Sequence, residues 1–275
     1  MREQVQSNTR PFLGLFIGII LIQQIYVPLI AGELKKDCQN TWRVTKNLGR
    51  ALYEPPPEDL KIFFISSAIV FSSYFLDEPV RDFVQNRKTR FLDGLFSIDQ
   101  IYGTRRVMFG GPALLYVGGW LSGSAEIRET GLQTLQAVFF AGTITSIIKE
   151  FSGRSRPYNQ EGPATFKPFA FDERYRSFFS GHASITFAAS TVLAHKIDHP
   201  AWKIFWYSAA ILTAGARVYN DRHWFSDVLA GALVGYAVGN FINHQSDRGK
   251  ADNIELTSTG YDQQVRCLFR YSFPF

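Results

Sequence analysis

Apolar residues gather into six blocks along the chain, at Leu60–Leu76, Val107–Leu121, Leu132–Ile148, Ala183–Ile197, Ala201–Ala216 and Asp227–Ile242. Polar connections separate them, so the pattern predicts an all-α fold, a six-helix bundle. Most blocks fall short of the roughly 20 apolar residues that span a bilayer comfortably. Leu60–Leu76 is the best spanning candidate, whereas Leu132–Ile148 carries Gln133 and Gln136, and Ala183–Ile197 ends beside His195 and Lys196. Such blocks suit a polytopic membrane protein and also an envelope protein resting on a membrane.

Ahead of the bundle, Arg2 and Arg10 precede an apolar run, Phe12–Ile20, continued by Leu21, Ile22 and Val27–Ala31. A charged flank followed by an apolar run is the pattern of an export signal, while Gln23 and Gln24 interrupt the run without ending it, as an uncleaved anchor would tolerate. The organisation expected is a signal peptide or membrane anchor over 1–32, a polar lead-in over 33–58 that ends near Glu54-Pro-Pro-Pro57, a helical domain over 59–245 and a tail over 246–275. Within the tail, Asn253–Thr259 and Gln264–Phe273 alternate apolar and polar residues around Gly260, which predicts a small β-hairpin. One hairpin cannot close a barrel, so it is expected to pack on the bundle or meet a partner.

Connectivity places the polar residues. Lys149 ends the third block and His182 opens the fourth; the turn at His195–Ala201 lies at the far end, so Arg217 finishes the fifth block back beside Lys149. His223 and Asp227 open the sixth block there, and Lys149, Arg156, His182, Arg217, His223 and Asp227 therefore converge at one end of the bundle. His223, Asp227, Gly231, Gly235 and Gly239 recur every four residues along one helix face, the glycines serving to admit a close neighbouring helix.

Length and charge narrow the picture further. The 275 residues fit one catalytic domain, and a net charge of +5 suits an anionic substrate or lipid surface. Scattered basic residues and the lack of a nucleic-acid motif exclude DNA or RNA as the expected partner. Cys38 and Cys267 are the only cysteines, compatible with one disulfide or two free thiols, and no ligand spacing predicts a metal site.

The converging residues describe an oxyanion site. Lys149, Arg156 and Arg217 supply cations, and the backbone N–H groups of Ser180, Gly181 and His182, opening a helix, form an anion pocket in which Gly181 permits close approach. Asp227, one turn beyond His223, can hold one ring nitrogen and leave the other to attack phosphorus. His182 is placed to protonate the departing oxygen and then to activate water. No metal or cofactor is called for. His195, His199 and His244 have no such company and read as surface residues. The connection Tyr158–Arg176, with Phe166, Phe169, Phe171 and Tyr175, is either a lid or acyl-chain platform or a packed surface loop.

Three stretches, Lys149-x6-Arg156-Pro157, Ser180-Gly181-His182 and Arg217-x5-His223-x3-Asp227, resemble the signature of the type 2 phosphatidic acid phosphatase superfamily, which includes bacterial acid phosphatases and vanadium haloperoxidases. The resemblance implies that Lys149, Arg156, Ser180, Gly181 and Arg217 bind phosphate, that His223 is the nucleophile, His182 the acid/base and Asp227 the partner of His223. Phe179 and Ala216 stand where the family usually has Pro and Ser, which touches substrate fit rather than the ionisable groups. The implied activity is metal-independent hydrolysis of a phosphomonoester or pyrophosphate of a membrane lipid: phosphatidate, phosphatidylglycerophosphate, undecaprenyl pyrophosphate or lipid A phosphate. It would take place in the cell envelope, with the site facing the periplasm or exterior, or in a soluble periplasmic form after signal cleavage. The rival readings are a vanadium-dependent haloperoxidase and a non-catalytic envelope lipid-binding protein.

Overall fold

A computed structural model describes the backbone over residues 10–272 and the side chains over residues 32–248. Two units make up the chain, divided after Tyr53. The first contains helix α1, Arg10–Tyr53, which stops at the prolines that follow it because proline lacks the N–H a helix needs and disfavours helical geometry in the residue before it. The expected signal or anchor rests on side chains outside the described residues, as does Cys267; Cys38 is exposed.

The second unit holds α2 (Pro57–Tyr74), α3 (Asp77–Gln85), α4 (Arg90–Leu95), α5 (Arg105–Ser122), α6 (Ala125–Ser152), α7 (Gly181–Lys196), α8 (Pro200–Tyr219) and α9 (Phe225–Ser272). All six apolar blocks are helices, joined by the shorter α3 and α4 and by a 3-10 turn at Phe96–Gln100. Side-chain caps set several starts: Thr104, Ser124 and Ser180 accept from backbone N–H groups of α5, α6 and α7. His199 caps α8 by accepting from Ala201 N, so this surface histidine has a structural task. At the other end, α5 and α6 stop at Gly123 and Gly153, whose φ values of 69° and 57° suit glycine.

Helix α7 is the core, packed by α6, α8 and α9. Its small residues, among them Ala183, Ser184, Ala188, Ser190 and Ala194, are buried around the whole helix, which explains why it needs no polar face. The glycine stripe of α9 faces it. A Cβ on Gly235 would lie 2.2 Å from the Ser184 carbonyl oxygen, and one on Gly231 2.5 Å from that of Ser180. Gly235→Val should therefore separate α7 from α9 and lower stability by about 1–3 kcal/mol, read as a fall in the unfolding midpoint in detergent micelles. An unchanged midpoint would contradict the close packing.

Helix α6 and the Phe225–Arg248 part of α9 are long and apolar enough to cross a membrane. In α6, Gln133 and Gln136 turn inward and are buried, leaving Phe139, Ile147 and Phe151 exposed on its outer side. The block at Leu60–Leu76 qualifies only when α2 is joined to α3 across a 55° bend, so among the described residues two candidate spans, or up to three with the bent pair, are long and apolar enough to cross. Exposed Phe63, Phe64, Ile65, Phe71 and Phe75 on and just beyond α2 would be costly in water and are at ease in lipid. This is a membrane protein.

Two expectations for the second unit change. The described residues contain no β-strand, only an isolated bridge between Arg154 and Phe166, and α9 continues as helix through Ser272 where the hairpin was predicted. Alternation over a few residues was a weak signal there; Tyr261, Val265, Leu268 and Phe269 follow the helical spacing, and Gly260 weakens a helix by only about 1 kcal/mol. Among the described residues this unit has eight α-helices rather than six, because the short polar helices α3 and α4 between apolar blocks leave little trace in hydropathy.

Candidate active site

The end of α6, the start of α7, the end of α8 and the start of α9 meet at one place. Between α6 and α7, residues 153–180 fold back on themselves: Lys167 N donates to Gly153 O, Ser155 N to Thr165 O, Arg156 N to Arg174 O and Ser177 N to Arg154 O. The connection is thus a hydrogen-bonded loop with Tyr175 buried, although Phe166, Phe169 and Phe171 remain exposed. Its path carries Arg154, Arg156 and Ser177 into the interior, where all three are buried.

Each cation is held differently. Lys149 Nζ donates to the backbone carbonyls of Arg176 and Ser177 and, among the described residues, meets no carboxylate. Arg156 is paired with Glu173, an exposed carboxylate that an anionic substrate would have to displace or share. Arg217 Nη1 donates to Asp99 Oδ2 at 2.8 Å. The Nε atoms of Arg156 and Arg217 are buried without hydrogen-bond partners, as is Asp99 Oδ1. Unpartnered buried N–H groups are costly, so two of them on neighbouring guanidinium groups mark a seat suited to an oxyanion.

Ser180 N donates to the backbone oxygen of Asp227 at 2.9 Å and so ties the start of α7 to the first turn of α9. A Cβ on Gly181 would sit 3.8 Å from Lys149 Cε, an ordinary contact, so the protein itself imposes no steric need for glycine there. His182 packs on Gly103 in the turn before α5: a Cβ on Gly103 would lie 2.5 Å from the ring.

His223 and Asp227 are both buried, with Nδ1 and Oδ2 3.8 Å apart. That is too long for the direct hydrogen bond expected from their four-residue spacing. The hydroxyl of Ser177 stands 3.5 Å from His223 Nδ1 and donates to Asp227 Oδ2 at 2.5 Å, occupying the carboxylate oxygen nearest the ring. Asp227 Oδ2 also accepts from Trp224 N, and Oδ1 from Arg154 Nη1 at 2.6 Å. Arg154 in turn binds Asp77 at 2.6 Å and Ser226 at 2.8 Å, while Asp77 accepts from Ser226 N and Oγ. The aspartate is held by this network.

Arg154, Ser177, Asp77 and Asp99 were missed from the sequence. Arg154 lies inside the first stretch as an unassigned position, and Ser177 three residues before Ser180. Asp77, beside Glu78, and Asp99 are carboxylates that directly follow apolar residues, which was the one available signal. Away from this end, His195 pairs with Asp247 at 3.1 Å on the surface, and His244 is exposed.

Burial and the Arg217, Lys149, Arg156 and Arg105 charges push His182 down to about 3. His223 lies well below its ordinary value through burial and the Lys149, Arg156 and Arg217 charges, with His182 adding to them. Both rings are neutral at pH 7 in the free protein. A bound dianion would offset the cations and raise the His182 value, so binding should take up a proton and tighten as pH falls from 7 towards 5. Sulfate, which does not itself titrate in that range, provides the check by calorimetry. Tighter binding at pH 5 that disappears in His182→Gln is expected; pH-independent binding would contradict the assignment.

The sequence model of the PAP2 superfamily matches residues 130–250, a span that includes all three polar stretches. Over this stretch the chain is similar to the PAP2 superfamily. It is 27% identical over 153 residues to a PA-phosphatase related-family protein of Dictyostelium discoideum, covering 50% of this chain and 56% of that one. With a lipid A 1-phosphatase of Rhizobium johnstonii it shares 26% identity, over 63% of this chain and 75% of the relative. A lipid phosphate phosphatase 1 of Arabidopsis thaliana is 30% identical, over 49% and 50% of the two chains. The chain thus spans about half to three quarters of the length of these curated relatives. In fold it is similar to the crystal structure of a transmembrane PAP2 type phosphatidylglycerolphosphate phosphatase from Bacillus subtilis, with a TM-score of 0.55 and 16% identity over 69% of this chain and 96% of that one. The all-helical PAP2 fold therefore accounts for the bundle that carries the site.

Proposed function

We propose that this protein is a metal-independent phosphatase that hydrolyses a phosphomonoester or pyrophosphate of a membrane lipid through a phosphohistidine. The observation that carries the reading is the seat itself: two neutral histidines beside Lys149, Arg156 and Arg217, with two buried guanidinium N–H groups unpartnered. In this mechanism Lys149, Arg156, Arg217 and the N–H groups of Gly181 and His182 neutralise the non-bridging oxygens, the Ser180 N–H being taken by the Asp227 backbone oxygen. His223 Nε2 attacks phosphorus in line as the bond to the leaving oxygen breaks. The Asp227 carboxylate, with Ser177 beside it, stabilises the charge that builds on the His223 ring.

His182 enters this step protonated, through the proton taken up with the anion, and gives that proton to the leaving oxygen. Neutral again, it accepts a proton from water as the water oxygen attacks phosphorus and frees His223. Phosphate leaves, and both rings return to their starting state.

A lipid substrate is supported by the outward apolar faces of α2 and α6 and by the names of the relatives, a lipid A 1-phosphatase and a lipid phosphate phosphatase. The export-type run at the N-terminus supports a site facing the periplasm or exterior. The test is phosphate release, with EDTA present, from phosphatidate, phosphatidylglycerophosphate, undecaprenyl pyrophosphate and lipid A in mixed micelles. Release from at least one is expected. No release from any of them, or bromide oxidation dependent on added vanadate instead, would overturn the reading.

A further inference from the structure

Outside the three cations already placed, two further arginines flank the seat. Arg222 sits in the turn between α8 and α9, next to His223, and that turn is pinned by Arg222 N and His223 N both donating to Arg217 O. Its guanidinium lies 5.5 Å from the ring centre of Tyr158, which follows Arg156-Pro157. Arg105 opens α5 two residues after Gly103, the glycine against which the His182 ring packs. Both side chains are exposed, so they stand at the solvent side of a seat in which Lys149 and Arg156 are buried and Arg217 is largely covered.

The carboxylates of this end are already committed. Asp221 holds Arg81 through two bonds of 2.6 and 2.8 Å, Asp99 holds Arg217, Glu173 holds Arg156, and Asp77 and Asp227 share Arg154. Among the described residues, neither Arg105 nor Arg222 has a carboxylate partner. Positive charge at the mouth thus exceeds what one phosphate in the seat would neutralise. Arginine's planar fork suits phosphate oxygens, and a second anionic group on the same substrate would find both guanidinium groups free. Consistent with this placement, the Arg222 charge reaches Arg156 and Arg217, and the Arg105 charge reaches His182.

Building on the phosphatase reading, we propose that Arg105 and Arg222 form a second anion subsite that selects substrates carrying a second phosphate beside the one removed. That phosphate comes either from a prenyl diphosphate, directly bonded to the first, or from a headgroup phosphorylated at a second position.

The experiment compares wild type, Arg105→Gln, Arg222→Gln and the double variant on three substrates in the same micelles: phosphatidate, undecaprenyl pyrophosphate and lipid A bearing two phosphates. The double variant should lose about tenfold or more in kcat/KM on one or both doubly phosphorylated substrates and less than about threefold on phosphatidate, the size of loss expected when charge-assisted contacts go. Loss on the pyrophosphate alone places the second phosphate next to the first, and loss on lipid A alone places it across the headgroup. Equal losses on all three, or none, would overturn the subsite. Absence of turnover in wild type on every substrate would instead sink the underlying phosphatase reading. Because the comparison is a ratio between substrates, a fold defect or a shifted His182 that slows all three equally counts against the subsite and cannot mimic it.

Discussion

Replacing His223 with alanine is expected to lower phosphate release by on the order of 10⁴-fold or more, because the variant has no atom to accept the phosphoryl group. The neighbouring charges then hold a phosphate that has nowhere to go. Rapid acid-free quenching with radiolabelled substrate should trap an alkali-stable, acid-labile phosphoprotein in wild type and none in His223→Ala. His182→Ala loses the acid of the first step and the base of the second, so it should accumulate the phosphoprotein only from a substrate whose leaving group needs no proton, such as para-nitrophenyl phosphate. Lys149→Ala should cost less, about 10²–10³-fold, because it removes one donor to the non-bridging oxygens and leaves the nucleophile in place. Similar mild losses in His223→Ala and Lys149→Ala would contradict the roles given to both.

Arg154→Ala should be the most damaging change for stability near the site. Its side chain is almost fully buried and holds Asp77 and Asp227 together at 2.6 Å each, so its removal strands two carboxylates in the interior. Breaking a buried ion pair in this way costs about 3–5 kcal/mol. Turnover should fall as well, since Asp227 loses the partner on Oδ1 and with it a fixed position under His223. Arg154→Lys keeps the charge but cannot reach both carboxylates with a planar fork, and should recover stability only in part. Chemical denaturation in detergent, read alongside kcat, checks the claim. A variant as stable and as active as wild type would show that the network has no influence on the site.

The six long helices were legible because each carries an apolar block bounded by polar or turn-forming residues, and such a block has few other ways to bury itself. The gathering of Lys149, Arg156, His182, Arg217, His223 and Asp227 was legible too, since helices that alternate in direction return their ends to the same side. The tail was misread because its short stretches of alternation compete with a helical spacing over the same residues. The His223–Asp227 contact was misjudged for a different reason. A four-residue spacing puts two side chains near one another, yet His223 precedes α9, and Ser177 from a distant loop already donates to the carboxylate oxygen nearest the ring.

Arg154 and Asp77 stand 77 positions apart, and Arg217 and Asp99 118 positions apart. Local sequence contains no sign that these pairs exist, because a carboxylate beside an apolar residue looks the same whether it ends up against an arginine or in water. The chain's own order of residues was enough to establish helices, their succession and the kinds of groups at one end of the bundle, all of which depend on short-range periodicity and connectivity. Which of those charges are neutralised and which are left for a ligand emerged in the folded molecule alone. Coulomb attraction and hydrogen bonding act over a few ångströms of space, and the distances that govern them at this site are set by packing α6, α7, α8 and α9 together, not by spacing along the chain.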